Sequence, residues 1–163
     1  MGFRRDLMLG NIGQDLVVQI FNDADIPAYP NEDRKKLPDY DIIIPFAKKN
    51  WTAEVKYDMY AQRSGNVAIE YFNPKTMKAS GIMSTKADFW IHVLTNPDKA
   101  FIITTDKLKD FISKEKPHKT IDRGGDGNAS LLLYRVENIM DNAMLHITPK
   151  TVKPVLELII NGK

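Results

Sequence analysis

Two carboxylates and one amine border two short apolar stretches of the sequence. They are Asp41, Glu54 and Lys56. Residues 51–57 alternate as a strand does, so Glu54 and Lys56, two residues apart, should project to the same side about 7 Å from each other. Asp41 directly precedes residues 42–44, a β-branched run that predicts a neighbouring strand. Twelve residues separate Asp41 from Glu54, which fits a hairpin, so the three groups can converge.

Such a group suits the hydrolysis of phosphodiester bonds. That reaction needs a water made nucleophilic near neutral pH and a means of neutralising charge on the phosphate, and a divalent metal supplies both. Magnesium prefers oxygen ligands and keeps several waters, so one or two carboxylates are a sufficient protein contribution. A nearby lysine can orient the attacking water or stabilise the pentavalent state.

Residues 37–44 followed by residues 51–58 resemble the D-(x)n-E-x-K signature of the PD-(D/E)XK nuclease superfamily. The resemblance covers roughly residues 10–112. It implies an α/β, restriction-endonuclease-like αβββαβ core, in which a central mixed sheet is flanked by helices. It also implies DNA cleavage that depends on Mg²⁺, for which Mn²⁺ can substitute. In that family the aspartate and glutamate ligate the metal and the lysine assists the water, roles that would fall to Asp41, Glu54 and Lys56. Asp39, which follows Pro38, competes with Asp41 for the aspartate position.

Two further acidic residues are candidates for the same site. Members of this superfamily often carry an acidic residue on the opening helix, and Asp15 occupies a similar place, which makes it a third candidate metal ligand. A glutamate is the commoner residue there. Glu70 lies in an apolar strand and is either a further site residue or a surface residue of an edge strand.

The order of elements follows from apolar periodicity. It predicts a first helix over residues 11–21, followed by five strands over residues 42–44, 51–57, 67–72, 88–94 and 101–104. A second helix is predicted to have Thr105 as its N-cap and to stop before Pro117. A strand over residues 130–136 and a helix over residues 152–160 complete the prediction. The glycine-rich residues 122–128 lack the spacing of a calcium-binding loop and predict a hairpin connection.

Composition limits the classes of protein that fit. A length of 163 residues predicts one domain over residues 1–163. The chain has no cysteine, which excludes disulfides, thiolate metal sites and cysteine nucleophiles, and its three histidines are too far apart in sequence to suggest a metal site. A formal net charge of +2 does not by itself indicate a polyanion partner. No stretch reaches the length of a membrane span, so a cytoplasmic location, or the host cytoplasm for a viral protein, is the default expectation.

Contacts to nucleic acid are expected outside the acidic site. Lys86 lies in a stretch of hydroxyl, lysine and aromatic residues that suits contact with backbone phosphates, and Gln62 and Ser64 follow the second strand closely enough to reach a phosphate. The turn residues around Ser64 also have a purely structural explanation.

The leading hypothesis is a metal-dependent DNA endonuclease. A structure-selective, junction-resolving enzyme and a site-specific enzyme are both forms of it. One alternative is a nucleic-acid-binding protein that retains the nuclease fold without catalysis, and another is a partner-binding domain with no nucleic-acid role. Because cutting both strands of a duplex usually takes two sites related by a twofold axis, a homodimer is expected.

Overall fold

The computed structural model describes residues 2–33, 36, 39–95, 98–124 and 127–162. The helices are α1 (Gly2–Asn22), α2 (Ala61–Ser64), α3 (Thr105–Lys114), α4 (Val136–Asn142) and α5 (Val152–Ile160), with one 3₁₀ turn at Gly81–Met83. The strands are β1 (Tyr29–Pro30), β2 (Ile42–Phe46), β3 (Lys49–Asp58), β4 (Asn66–Asn73), β5 (Lys78–Ala79), β6 (Phe89–Leu94), β7 (Lys99–Thr104), β8 (Lys119–Gly124), β9 (Ala129–Arg135) and β10 (Leu145–Ile147).

The strands form two sheets. The central sheet has the order β1-β2-β3-β6-β7-β10, and the second sheet has the order β5-β4-β9-β8. The pairing of β3 with β6 is parallel and the other pairings are antiparallel, so the central sheet is mixed. This confirms the expected α/β class with a mixed sheet and helices. The third predicted strand is part of β4 and belongs to the second sheet, not to the central one.

The central sheet is buried on both faces. One face packs against α1 and α5, where Val17, Phe21 and Leu156 meet Val55 of β3. The other face, represented by Trp90, packs with Ile69 of the second sheet and with residues of α3 and α4. Burial on both faces explains why β6 is continuously apolar apart from His92, since a strand covered on both sides need not alternate.

Most predicted elements are present with shifted bounds. The helix over residues 152–160 is observed as predicted, whereas β2 continues through Pro45. Proline is tolerated there because β1 pairs with β2 only at Ile42 and Ile43, so within the described chain β3 is the one neighbour of β2 at Pro45. The N-cap of α3 is Thr104 and not Thr105: its side chain accepts a hydrogen bond from the amide of Lys107 at 3.2 Å.

The sequence did not predict β8, α4 or β10, which the structure adds. The expected connection over residues 122–128 is shorter, because β8 extends to Gly124 and β9 begins at Ala129. Residues 125 and 126 of that connection, and Leu37 and Pro38 of the motif, lie outside the described residues. No helix of the described chain has both the length and the apolar character needed to cross a membrane.

Candidate active site

A cleft opens where β2 separates from β3. The pairing of these strands begins at Ile42 and Ala53, whereas β3 continues to Asp58 alongside β6. The resulting cleft has a volume of about 430 Å³ and is bordered by α1, β3, β4 and β9. Its lining includes the charged residues Asp41, Lys56, Asp58 and Glu70.

Asp41 lies at the point where the strands separate. It is 2% exposed, and its Oδ2 accepts a hydrogen bond from the backbone amide of Val55 at 2.8 Å. Its own amide donates to the carbonyl of Ala53 at 2.9 Å. Since Val55 stands between Glu54 and Lys56, the carboxylate is held beside both candidate residues. Asp39 instead forms an ion pair with Lys86 at 3.3 Å, so the geometry favours Asp41 over Asp39.

Lys56 is surrounded by acids. Its Nζ lies 2.5 Å from Oε1 of Glu54, and the two side chains are 33% and 14% exposed. Burial lowers the pKa of Lys56, but the ion pair with Glu54 and the charges of Asp41 and Glu70 outweigh burial and raise the pKa above 10.5. Lys56 is therefore protonated at neutral pH. Three acidic side chains therefore surround one ammonium group.

Glu70 reaches the cleft from the second sheet. The bulge of β4 begins at Glu70, and Gly81 packs against its backbone with a φ of +53°. A Cβ on Gly81 would lie 2.2 Å from the carbonyl oxygen of Glu70, so only glycine allows this approach. Of the two interpretations of Glu70 from the sequence, its place in the lining of the cleft favours a further site residue.

The opening helix contributes a different residue from the expected one. Asp15 is exposed, whereas its neighbour Gln14 is 6% exposed and lines the cleft. Adjacent residues of a helix point about 100° apart, so only one of the two can face the site. The close approach of α1 to β3 depends on Gly13, where a Cβ would lie 2.9 Å from Cβ of Tyr57. The placement of Asp15 beside Asp41 and Glu54 is thus corrected, and Gln14 takes that place.

A buried polar network, which the sequence analysis did not predict, adjoins the cleft. His92 is 1% exposed; its Nε2 lies 3.1 Å from Oδ2 of Asp58, and the indole nitrogen of Trp90 donates to its Nδ1 at 3.3 Å. Because an indole N–H can only donate, Nδ1 is the acceptor and Nε2 carries the proton donated to Asp58. Burial raises the pKa of Asp58, but hydrogen bonds from His92 and from the amides of Ala68 and Tyr60 lower it below 3.8. The only sequence signal was a histidine inside an otherwise apolar strand.

The three residues expected to contact nucleic acid do not line this cleft. Lys86 pairs with Asp39 and borders a second cavity beside α5, and Gln62 borders a third cavity beside α4. The hydroxyl of Ser64 exchanges hydrogen bonds with the backbone of Asn66, which closes the turn after α2. Their predicted contacts to DNA therefore gain no support from proximity to Asp41 and Lys56.

The donor chemistry of the cleft matches a hard divalent cation. Across the described residues no three histidine or acidic side chains form a ready metal cage. Asp41 and Glu54 could nonetheless supply the one or two carboxylates that magnesium ordinarily takes from a protein, with water completing its shell. The excess of acidic side chains around Lys56 suits the same ion.

Two sheets, with α1 packed beside an acidic cleft at the separating edge of the central one, make up an α/β fold. The solved structure of the bacterial homing endonuclease I-Ssp6803I is similar, with a TM-score of 0.51 over 86% of this chain and 76% of that chain. The two sequences are 12% identical, so the likeness shows the fold. No protein-family model and no curated protein matches this chain.

Proposed function

We propose that this protein is a metal-dependent DNA endonuclease of the PD-(D/E)XK type. The observation that carries the proposal is the group of three carboxylates around the protonated Lys56: Asp41 and Glu70 line the same cleft as Lys56, and Glu54 forms an ion pair with it. The likeness of the fold to a homing endonuclease supports the same function.

The charge of the cleft explains why a metal is required. A DNA phosphate is an anion, and a cleft lined by acidic side chains repels it. A divalent cation offsets that repulsion, so a phosphate would bind in the cleft more tightly once the cation is present. An acidic cleft is therefore consistent with a nucleic-acid substrate when metal is part of the site.

Each residue has a distinct role in this proposal. Asp41 and Glu54 would hold Mg²⁺ or Mn²⁺, and the bound ion would supply an activated water and neutralise charge on the phosphate. The hydrogen bond from Val55 fixes the orientation of the Asp41 carboxylate. Lys56 keeps its proton because its pKa is raised, so it stabilises negative charge on the phosphorus oxygens and does not serve as the proton acceptor.

The assembly follows from the number of sites. With one site per chain, both strands of a duplex are cut most simply by a homodimer. A strict monomer in sedimentation velocity that still cuts both strands would contradict this assembly. A structure-selective, junction-resolving activity is the specific form that we propose, and the substrate panel below separates it from cleavage of ordinary duplex.

The test is a cleavage assay on supercoiled, linear, single-stranded and four-way-junction DNA, with and without Mg²⁺ or Mn²⁺. The wild-type protein should cut only with metal, and Glu54→Gln and Lys56→Met should cut about 100- to 1,000-fold more slowly. Lys49→Met is the matched control, because Lys49 lies on the same strand in an ion pair outside the cleft. It should stay within about twofold of wild type, since that pair is exposed and of little energetic weight. Full activity in Lys56→Met, or DNA binding without turnover in the wild type, would overturn the proposal.

A further inference from the structure

Tyr60 stands at the mouth of the cleft with its side chain open to solvent. It is 68% exposed, and among the described residues that line the cleft it alone belongs to the exposed class. Single exposed apolar residues are common on protein surfaces. The position of this one matters because it follows Lys56 by only four residues.

Hydrogen bonds and core packing fix the backbone around Tyr60. Oδ1 of Asp58 accepts hydrogen bonds from the amides of Tyr60 at 3.0 Å and Ala61 at 2.9 Å. Oδ2 of the same carboxylate bonds to His92, and Ala61 is completely buried in the core between the sheets. The ring therefore projects from a fixed turn, and little backbone order remains to be gained when a ligand binds it.

The chemistry of an exposed phenol ring beside a phosphate site points to a nucleic-acid base. Every base offers a π face to an aromatic side chain, and such stacking is a main source of affinity for unpaired strands. Four residues of chain span at most about 14 Å, so a base at Tyr60 belongs within a few nucleotides of a phosphate at Lys56. In a continuous duplex both faces of each base are already covered by neighbouring bases, and the ring has no face to meet.

We infer that Tyr60 stacks on an unpaired or branch-point base next to the cleaved phosphate, and so selects DNA with a local break in base pairing. The inference rests on the proposed nuclease function and specifies its substrate. It makes Tyr60 a specificity residue, and it makes Asp58 and His92 positioning residues for the turn that carries it.

The experiment compares two DNAs that are identical except that one contains a single unpaired nucleotide. Binding is measured by fluorescence anisotropy at fixed ionic strength without metal, and cleavage is measured with Mg²⁺. Wild-type protein should bind the DNA with the unpaired nucleotide more tightly. Tyr60→Ala should weaken that binding by roughly 5- to 100-fold and leave binding to the fully paired DNA within about twofold. Tyr60→Phe keeps the ring and should restore most of the preference. Leu158→Ala, a truncation of a 45% exposed side chain on α5, is the surface control and should behave as wild type.

The outcomes separate this inference from the proposed function. If wild-type protein cuts DNA with metal and Tyr60→Ala retains the full preference for the unpaired nucleotide, the inference is overturned and the nuclease function stands. Equal losses on both DNAs would also overturn it, because they would indicate a general contact. A wild-type protein that neither binds nor cuts any of the DNAs overturns the proposed function, and this inference with it.

Discussion

Strand β3 carries two lysine–carboxylate pairs, and the surroundings of the two lysines differ. Near its start, Lys49 lies 3.1 Å from Asp88 and over the ring of Trp51 at 3.8 Å. Near its end, Lys56 lies 2.5 Å from Glu54 with Asp41 and Glu70 close enough to raise its pKa. The first pair is balanced, one charge against one, whereas the second has two more acids than the lysine can neutralise.

The comparison distinguishes an ion pair that stabilises the fold from one that we propose belongs to a metal site. Oδ2 of Asp88 accepts hydrogen bonds from the amide and hydroxyl of Thr52, at 2.9 and 3.1 Å, and so joins the starts of the parallel strands β3 and β6. The acids around Lys56 instead outnumber the lysine, and two of them, Asp41 and Glu70, line the cleft. Packing carboxylates together without enough cations is unfavourable, and a bound divalent ion would offset that cost.

The largest effect is expected at Asp41. Asp41→Asn removes the charge but retains an oxygen that can accept the hydrogen bond from Val55, so cleavage should fall about 100- to 1,000-fold while thermal stability stays near that of wild type. Asp41→Ala should lose cleavage to the same degree and also lower the free energy of unfolding by about 1–3 kcal/mol, because the buried amide of Val55 loses its partner. Cleavage assays and thermal melts followed by circular dichroism measure both. A fully active Asp41→Asn would remove Asp41 from the site.

At Asp88 we expect the reverse of the result for Asp41→Asn: a loss of stability with little loss of cleavage. Asp88→Ala deprives the amide of Thr52 of its acceptor, so the free energy of unfolding should fall by about 1–3 kcal/mol, with little change in cleavage per folded molecule. Urea denaturation and a cleavage assay at a temperature where the variant is folded provide the two measurements. Loss of cleavage as severe as in Asp41→Asn would mean that the ion pair at the start of β3 also contributes to cleavage, and would contradict a purely structural role for it.

The sequence predicted the parts of the site that are local. Glu54 and Lys56 share one face because side chains alternate along any strand, and Asp41 was identified by its place before a β-branched run. Their backbone proximity follows from one hairpin, which sequence spacing can indicate. The α/β class and the final helix were predictable for the same reason, since apolar periodicity is a local property.

The residues that were missed or left open depend on tertiary arrangement. Glu70 lines the cleft because β4 belongs to the second sheet, which packs against the central one, and strand periodicity does not encode that packing. The choice of Gln14 over Asp15 depends on the rotation of α1, which is set by the contact of Gly13 with Tyr57. His92 and Asp58 meet through the parallel register of β3 and β6, strands with thirty residues between them along the chain.

Metal binding measured by titration calorimetry tests the central claim most directly, because it requires no substrate. Mn²⁺ titrated into wild-type protein should bind at one site per chain, and Asp41→Asn should bind at least about tenfold more weakly. Asp88→Asn removes the same charge from the balanced pair and should bind as wild type does. A wild-type protein that binds no Mn²⁺, or an Asp41→Asn variant that binds it equally well, would contradict the claim that the excess of acids around Lys56 forms a cation site.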